Sequence, residues 1–173
     1  MSCNTLNTIE KECTNNIGGI KNIYGMPYSY LDEITYLENN PNKGLTELAI
    51  VEKFKLIYTK PNTASYEVNE SLNRNKSVFN HSLSFSVLRR KQLLNENLYN
   101  FLSNNGRCVF LIELMNGSFV LLGLQKGMKL DSNNGGSGTN ISDGTSYSIS
   151  ISGEQPYNEI FIDKNFVENK GLI

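Results

Sequence analysis

An excess of charge of either sign is missing from this chain. Its 173 residues carry 16 Lys and Arg against 17 Asp and Glu, a formal net charge of -1. Such a balance gives no basic field to hold nucleic acid by counterion release and no acidic field to gather cations. Tight, direct DNA binding is therefore not expected. Histidine is nearly absent as well, so any Ser/His/Asp or Cys/His machinery must run through His81. That residue stands between Phe79 and Leu83 in an alternating run, the place of a core histidine rather than a catalytic one. Cys3, Cys13 and Cys108 form no CxxC pair, leave an odd thiol under any pairing, and lack zinc-ligand spacing with His81. Free thiols and no bound metal follow. No apolar run is long enough to span a bilayer, and the first residues lack a basic start followed by an apolar stretch; neither a membrane segment nor a secretory leader is expected. Nor can a nucleophile, a base and an orienting group be named together. The chain does not read as an enzyme, and no cofactor is expected.

What the chain does have is alternation. The most strongly patterned stretch is 108–124, CVFLIELMNGSFVLLGL, where two apolar runs meet at Asn116-Gly117. This predicts a β-hairpin closed by a two-residue type I′ turn. With Met115 opposite Ser118, one face carries Val109, Leu111, Glu113, Val120, Leu122 and Leu124. The other carries Cys108, Phe110, Ile112, Leu114, Phe119 and Leu121. Both faces are apolar, so a helix or a neighbouring copy must cover the second one, and a lone molecule of this size is expected to fall short. Glu113, set among apolar neighbours, requires a cation, hydrogen-bond donors, a solvated strand end or a subunit contact.

Around the hairpin, residues 1–16 are polar and unpatterned, an N-terminal arm, and 17–173 form a single β-rich domain. Strands are predicted at 17–24, with a bulge invited by Gly18-Gly19, and at 26–36. Residues 38–47 read as a loop, and 50–58 as a strand with Ile50, Phe54, Leu56 and Tyr58 on one side. The run 77–87 puts Phe79, His81, Leu83, Phe85 and Val87 on one face and Ser82, Ser84 and Ser86 on the other. Leu94, Leu98, Phe101 and Leu102 then recur at helical spacing over 90–102, ending near Gly106. Residues 131–144 read as a long Gly-, Asn- and Ser-rich loop. The run 145–153 alternates again, with Tyr147, Ile149 and Ile151 inward and Ser146, Ser148 and Ser150 outward; a short edge strand follows at 159–163. The sum is an antiparallel β-sandwich or barrel of roughly six to eight strands with one α-helix.

Three further features are candidates for a subunit interface or a lumen. Asn134, Gly135, Gly136 and Ser137 lie in a Gly-rich segment that lacks the Lys of a P-loop and opens no helix, so it reads as an interface loop rather than a phosphate cradle. Arg89, Arg90 and Lys91 start the helix, where the macrodipole disfavours cations; such a run is usually solvated, and the sharper reading is that it meets acidic groups of a neighbouring chain. The serine rows are short, uncharged and flat, unlike an ordinary solvent face. They suit a contact with another subunit, a channel wall where strong binding would be a liability, or plain polar exposure.

The opening Cys13-x-x-Asn16-Ile17-Gly18-Gly19-Ile20-Lys21-x-Ile23-Tyr24 resembles that of structural proteins from Bacteroidetes phages, including crAss-like phages, related to the phage tail-tube fold. Similar proteins carry a serine-rich strand like Phe79-x-x-Ser82-Leu83-x-Phe85, then a helix, then a strand and turn like 109–117. They continue with Leu122-Gly123-x-x-x-Gly127-Met128-x-Leu130, Ser137-Gly138-Thr139, and Tyr147-x-Ile149-x-Ile151-x-Gly153-Glu154-x-Pro156. The likeness covers about residues 13–156, and it lies in the order of the motifs rather than in any one of them. It implies a tail-tube-like β-sandwich that forms homo-oligomeric rings, sixfold or twelvefold, in a virion tail assembled in the host cytoplasm. Sheets of adjacent copies would join around a lumen through which DNA passes as non-specific cargo. Extended loops and the arm would meet adjacent tail or portal-region proteins, in a long tube or a short-tail collar. Lumens in this group are commonly acidic, whereas the serine rows here are neutral. The alternative, from a different class, is a monomeric β-barrel holding a small apolar ligand between the hairpin and the helix.

Overall fold

The computed structural model describes residues 18–40, 44–73, 76–88, 92–104, 106–137 and 144–173. The arm, residues 1–16, and Arg89, Arg90 and Lys91 lie outside them. Among the described residues eleven strands, more than alternation suggested, run in chain order: β1 (Ile20–Pro27), β2 (Leu31–Tyr36), β3 (Leu45–Ile50), β4 (Lys55–Ile57), β5 (Ser65–Asn73), β6 (Lys76–Leu88), β7 (Cys108–Leu114), β8 (Phe119–Leu122), β9 (Lys129–Gly136), β10 (Ser146–Gln155) and β11 (Ile160–Ile162). Helix α1 (Gln92–Leu98) runs on into π-helical turns at Tyr99–Asn104, and a short helical turn, α2 (Lys164–Asn169), lies near the end. A five-stranded sheet ordered β11-β8-β7-β1-β4 packs on a four-stranded sheet ordered β5-β6-β10-β9, while β2 and β3 pair by themselves. The architecture is mainly β and antiparallel, as the alternation predicted.

The central hairpin forms, but its register differs by one residue from the expected one. Leu114, not Met115, faces Ser118: the Leu114 amide donates to the Ser118 carbonyl at 2.9 Å, and the Gly117 amide to the Leu114 carbonyl at 3.0 Å. Gly117 has φ +87°, whereas Asn116 does not take a positive φ, which rules out a type I′ turn. The loop therefore has three residues, a tight turn followed by a glycine bulge. Asn116 Oδ1 accepts from the Ser118 amide at 3.0 Å and holds this form. The slip regroups β8: Val120 and Leu122 join Phe110 and Ile112, and Phe119 and Leu121 join Val109 and Leu111.

Both faces of the hairpin are covered by the chain itself, so the expectation that a sister copy must cover the second face is wrong. One core lies between the two large sheets, where Ile23, Phe110, Ile112, Val120 and Leu122 meet Leu83, Phe85, Tyr147, Ile149 and Ile151. The other lies on the far face, where Val109, Leu111, Phe119, Leu121, Ile160 and Ile162 are closed over by Leu48, Phe54, Val167 and Leu172. Those covers come from β3, the segment after it, α2 and the C-terminal residues, three of which carried little period in the sequence. The Phe54 amide donates to the Leu172 carbonyl at 2.8 Å, which ties the tail down.

Other segments also depart from expectation. The strand foreseen at 50–58 breaks after Ile50, because Phe54 turns into the second core while Leu56 and Tyr58 stay exposed. Leu45 to Glu47, expected in a loop, belong to β3. Residues 131–136, also expected in a loop, complete β9, because pairing with β10 satisfies a backbone that its own composition would leave unpaired. Near Gly18-Gly19 the foreseen bulge is present, as a register shift between Ile20 and Asn22. Helix α1 starts at Gln92 and buries Leu98, with Leu102 buried just beyond it.

Candidate functional site

Among the described residues the four-stranded sheet is covered on one face only. Its inner face carries His81, Leu83, Phe85, Val87, Tyr147, Ile149 and Ile151, all buried. Strand pairing sets the outer face in rungs that cross all four strands. Ser65 of β5 pairs with Ser84, Ser84 with Ser150, and Ser150 with Ser132 of β9, a row of four hydroxyls. The neighbouring row runs Glu67, Ser82, Ser152, Lys129. On the other side Ser86 pairs with Ser148 and Ser148 with Asn134, then Ser146 with Gly136. Ser82, Ser84, Ser86, Ser146, Ser148 and Ser150 thus share one surface, as their alternation predicted. Ser65 Oγ and Ser84 Oγ are 2.9 Å apart, and Ser82 Oγ donates to the Glu67 carbonyl at 3.3 Å.

Asn134 and Gly136 join that surface, while Gly135, opposite Tyr147, belongs to the inner side; Ser137 follows directly. The loop reading of this segment is replaced by an edge strand. Neither β5 nor β9 has an outer strand partner among the described residues. Edge strands of nine and eight residues are long for a sheet that stays alone, since isolated proteins shorten, charge or cover such edges. By contrast, the five-stranded sheet ends in β4 and β11, each of three residues.

Glu113 lies away from this surface and is satisfied within the chain. Lys21 Nζ donates to its Oε1 and Asn22 Nδ2 to its Oε2, each at 2.6 Å. Burial pushes its carboxyl up, but the hydrogen bonds from Lys21 and Asn22 together with the Lys21 charge outweigh that and hold it below the ordinary 4.5. Its side chain is 12% exposed. No subunit contact is needed to account for it.

The segments around Gly123, Gly127 and Gly153 converge on one joint. The turn after β8 packs against the end of β10: a Cβ on Gly153 would sit 2.7 Å from the Gly127 carbonyl oxygen. Gln155 is 1% exposed. Its Oε1 accepts from the Gln125 and Lys126 amides at 3.1 and 2.9 Å, and its Nε2 donates to the Gly127 carbonyl at 3.0 Å. His81 closes the other side: Nδ1 accepts from the Gly123 amide at 3.3 Å, which leaves Nε2–H to donate to the Tyr157 carbonyl at 3.2 Å. Burial pushes its imidazole below the ordinary 6.5, against the Tyr157 hydrogen bond. Both ring nitrogens are occupied and none is left for a reacting proton. This joint fixes where the chain passes from β8 of the five-stranded sheet to β9 of the four-stranded sheet, and hence where the open edge lies.

Two concavities complete the surface. An open groove of ≈ 820 Å³ lies beside β1 and β4, with Met26, Ile57, Val87, Leu98 and Phe101 in its walls. Gly25 lines it too, and a Cβ there would meet Phe101 Cζ at 2.6 Å. A second, of ≈ 600 Å³, lies between Tyr28, Leu102, Arg107 and Lys129. No group of three or more His, Cys, Asp and Glu gathers as metal ligands among the described residues. Cys108 is buried, and burial pushes its thiol up to about 12, so it is inert at neutral pH.

Ser65 and Glu67 of β5, and Lys129 of β9, were missed in the sequence. Alternation of Tyr66 and Val68 with Ser65, Glu67 and Asn69 was the available signal for β5. For Lys129 nothing in its own neighbourhood points to the edge. No protein-family model, curated protein sequence or solved structure matches the chain.

Proposed function

We propose that this chain is a structural subunit of a phage virion, repeated in a homo-oligomeric tail ring or tube that surrounds the DNA channel and meets neighbouring tail or portal-region proteins. The observation that carries this is the four-stranded sheet, with both long edges open among the described residues and one face laid with serine. The strands alternate in direction from β5 to β9, so β9 of one copy and β5 of the next would meet antiparallel and extend one sheet head to tail. With strands about 4.8 Å apart, each copy contributes about 19 Å of arc, and six copies would enclose a ring about 37 Å across between backbones. Lined by the serine face, its wall would present hydroxyls to a sliding polyanion and few fixed cations to hold it. The order of the motifs shared with Bacteroidetes phage structural proteins supports the same assignment, and no catalytic role is assigned.

Negative-stain electron microscopy of the purified chain at rising concentration tests it. Closed rings of uniform size are expected, and a monomer at every concentration contradicts the proposal.

The groove beside β1 and β4 favours a second reading, a monomer that holds a small apolar ligand at Met26, Leu98 and Phe101. Organic extraction of the purified protein followed by mass spectrometry separates the two: a stoichiometric apolar compound in a monomer supports this reading, and an empty groove opposes it.

A further inference from the structure

The rungs of the four-stranded sheet place complementary groups at its two edges on the same level. Glu67 on β5 and Lys129 on β9 end one rung and lie on the same, serine-bearing face. Both are exposed, and neither has an ion-pair partner among the described residues. The next rung ends in Tyr66 and Leu130 on the inner face, each half-buried against the core. Beyond it β9 carries one extra residue, Asp131, at a register shift against β10, and after that bulge Ser65 and Ser132 end the hydroxyl row. An acid faces away from one edge and a base from the other, an aromatic ring matches a Leu, and a hydroxyl matches a hydroxyl.

We propose that copies join through these edges along the rungs already set within each sheet, so that Lys129 of one copy pairs with Glu67 of the next, Leu130 with Tyr66, and, past the one-residue bulge at Asp131, Ser132 with Ser65. This rests on the ring assignment and specifies its contact. Opposite charges, an aromatic against an aliphatic side chain, and paired hydroxyls are each favourable across adjacent strands. A one-residue slip would set Leu130 against the hydroxyl face and Lys129 against the core face of the next copy, which the pleat does not allow. A two-residue slip keeps the faces but sets Lys129 opposite Ser65 or Asn69, so only the charge pair separates it from the unshifted register. The contact is heterologous, since one copy offers its base and the other its acid, and repetition of it closes a ring or continues a filament.

Charge reversal with sedimentation velocity tests the pairing. Lys129→Glu and Glu67→Lys each place like charges opposite one another and should raise the concentration for half-assembly roughly fivefold or more, with Lys129→Glu/Glu67→Lys returning to within about twofold of the parent. Because both side chains are exposed, far-UV circular dichroism and thermal midpoints should stay unchanged. If the parent assembles and either reversal leaves half-assembly unmoved, or the double change is worse than both, the register is wrong while the ring stands. A parent that never assembles overturns the ring and the register together. Ser65→Cys/Ser132→Cys, in a chain with Cys3→Ser and Cys13→Ser, gives a check that does not depend on charge. Adjacent antiparallel strands hold Cα atoms about 4.5–5.5 Å apart, within disulfide reach. Oxidation should then produce a ladder of covalent multimers, and assembled protein without that ladder overturns the register.

Discussion

Replacing Gln155 by Leu removes the clamp that ties the end of β10 to the turn before β9. The side chain supplies an acceptor to two amides, Gln125 and Lys126, and a donor to the Gly127 carbonyl, all within 3.1 Å, and is itself 1% exposed. Leu keeps most of the volume, so the loss is of hydrogen bonds rather than packing. A hydrogen bond contributes about 0.5–1.5 kcal/mol net, and a buried group left without a partner costs about 1–3 kcal/mol. Lys126 is exposed, so water can satisfy its amide; Gly127 is buried, so its carbonyl bears the full penalty. Together these give about 2–4 kcal/mol of lost stability. Urea titration followed by circular dichroism should show this as a lower midpoint with an unchanged slope. Hydrogen exchange should accelerate over 125–136 before the rest of the sheet, because the clamp positions β9. A change below about 0.5 kcal/mol would refute the view that this joint holds the two sheets in place.

Three other perturbations follow from the same structure. Leu172 is fully buried in the core on the far face of the hairpin, so Leu172→Ala should cost about 2–5 kcal/mol by denaturant titration, whereas a sister copy covering that face would leave the cost small. Gly25→Ala sets a Cβ 2.6 Å from Phe101 Cζ and 3.1 Å from Ile57 Cδ1; overpacking should cost about 1–3 kcal/mol, read as a lower thermal midpoint. His81 has a folded-state pKa below its ordinary 6.5, so the unfolded chain binds its proton first. Its contribution is complete above about pH 6.5 and is lost as pH falls beneath that, levelling off below the folded value. Stability measured from about pH 7.5 to 5.5 should fall in the parent more than in His81→Gln, and parallel curves would contradict the assignment.

Strands with one buried face announced themselves. Strands β6 and β10 place large apolar residues at every second position, so their extent, their faces and the shared serine surface were all legible. Strand β9 was not, because SNNGG carries no propensity of its own and is held by its pairing with β10. The hairpin was visible but its turn was misjudged: Asn116-Gly117 favours two positive φ angles, yet only Gly117 adopts one. Helix α2 spans six residues, fewer than two turns, too few for an apolar period to show, and without it the far face of the hairpin looked uncovered. The rungs lay beyond sequence reasoning, since they depend on register across strands far apart in the chain.

Hydrogen–deuterium exchange across a concentration series reads the open edges directly. If copies extend one another's sheets, amides of β5 and β9 should slow together as protein concentration rises, while those of β4 and β11 keep their rates. Exchange at β5 and β9 that is independent of concentration, or protection appearing only around the groove beside β1 and β4, would contradict assembly through these edges.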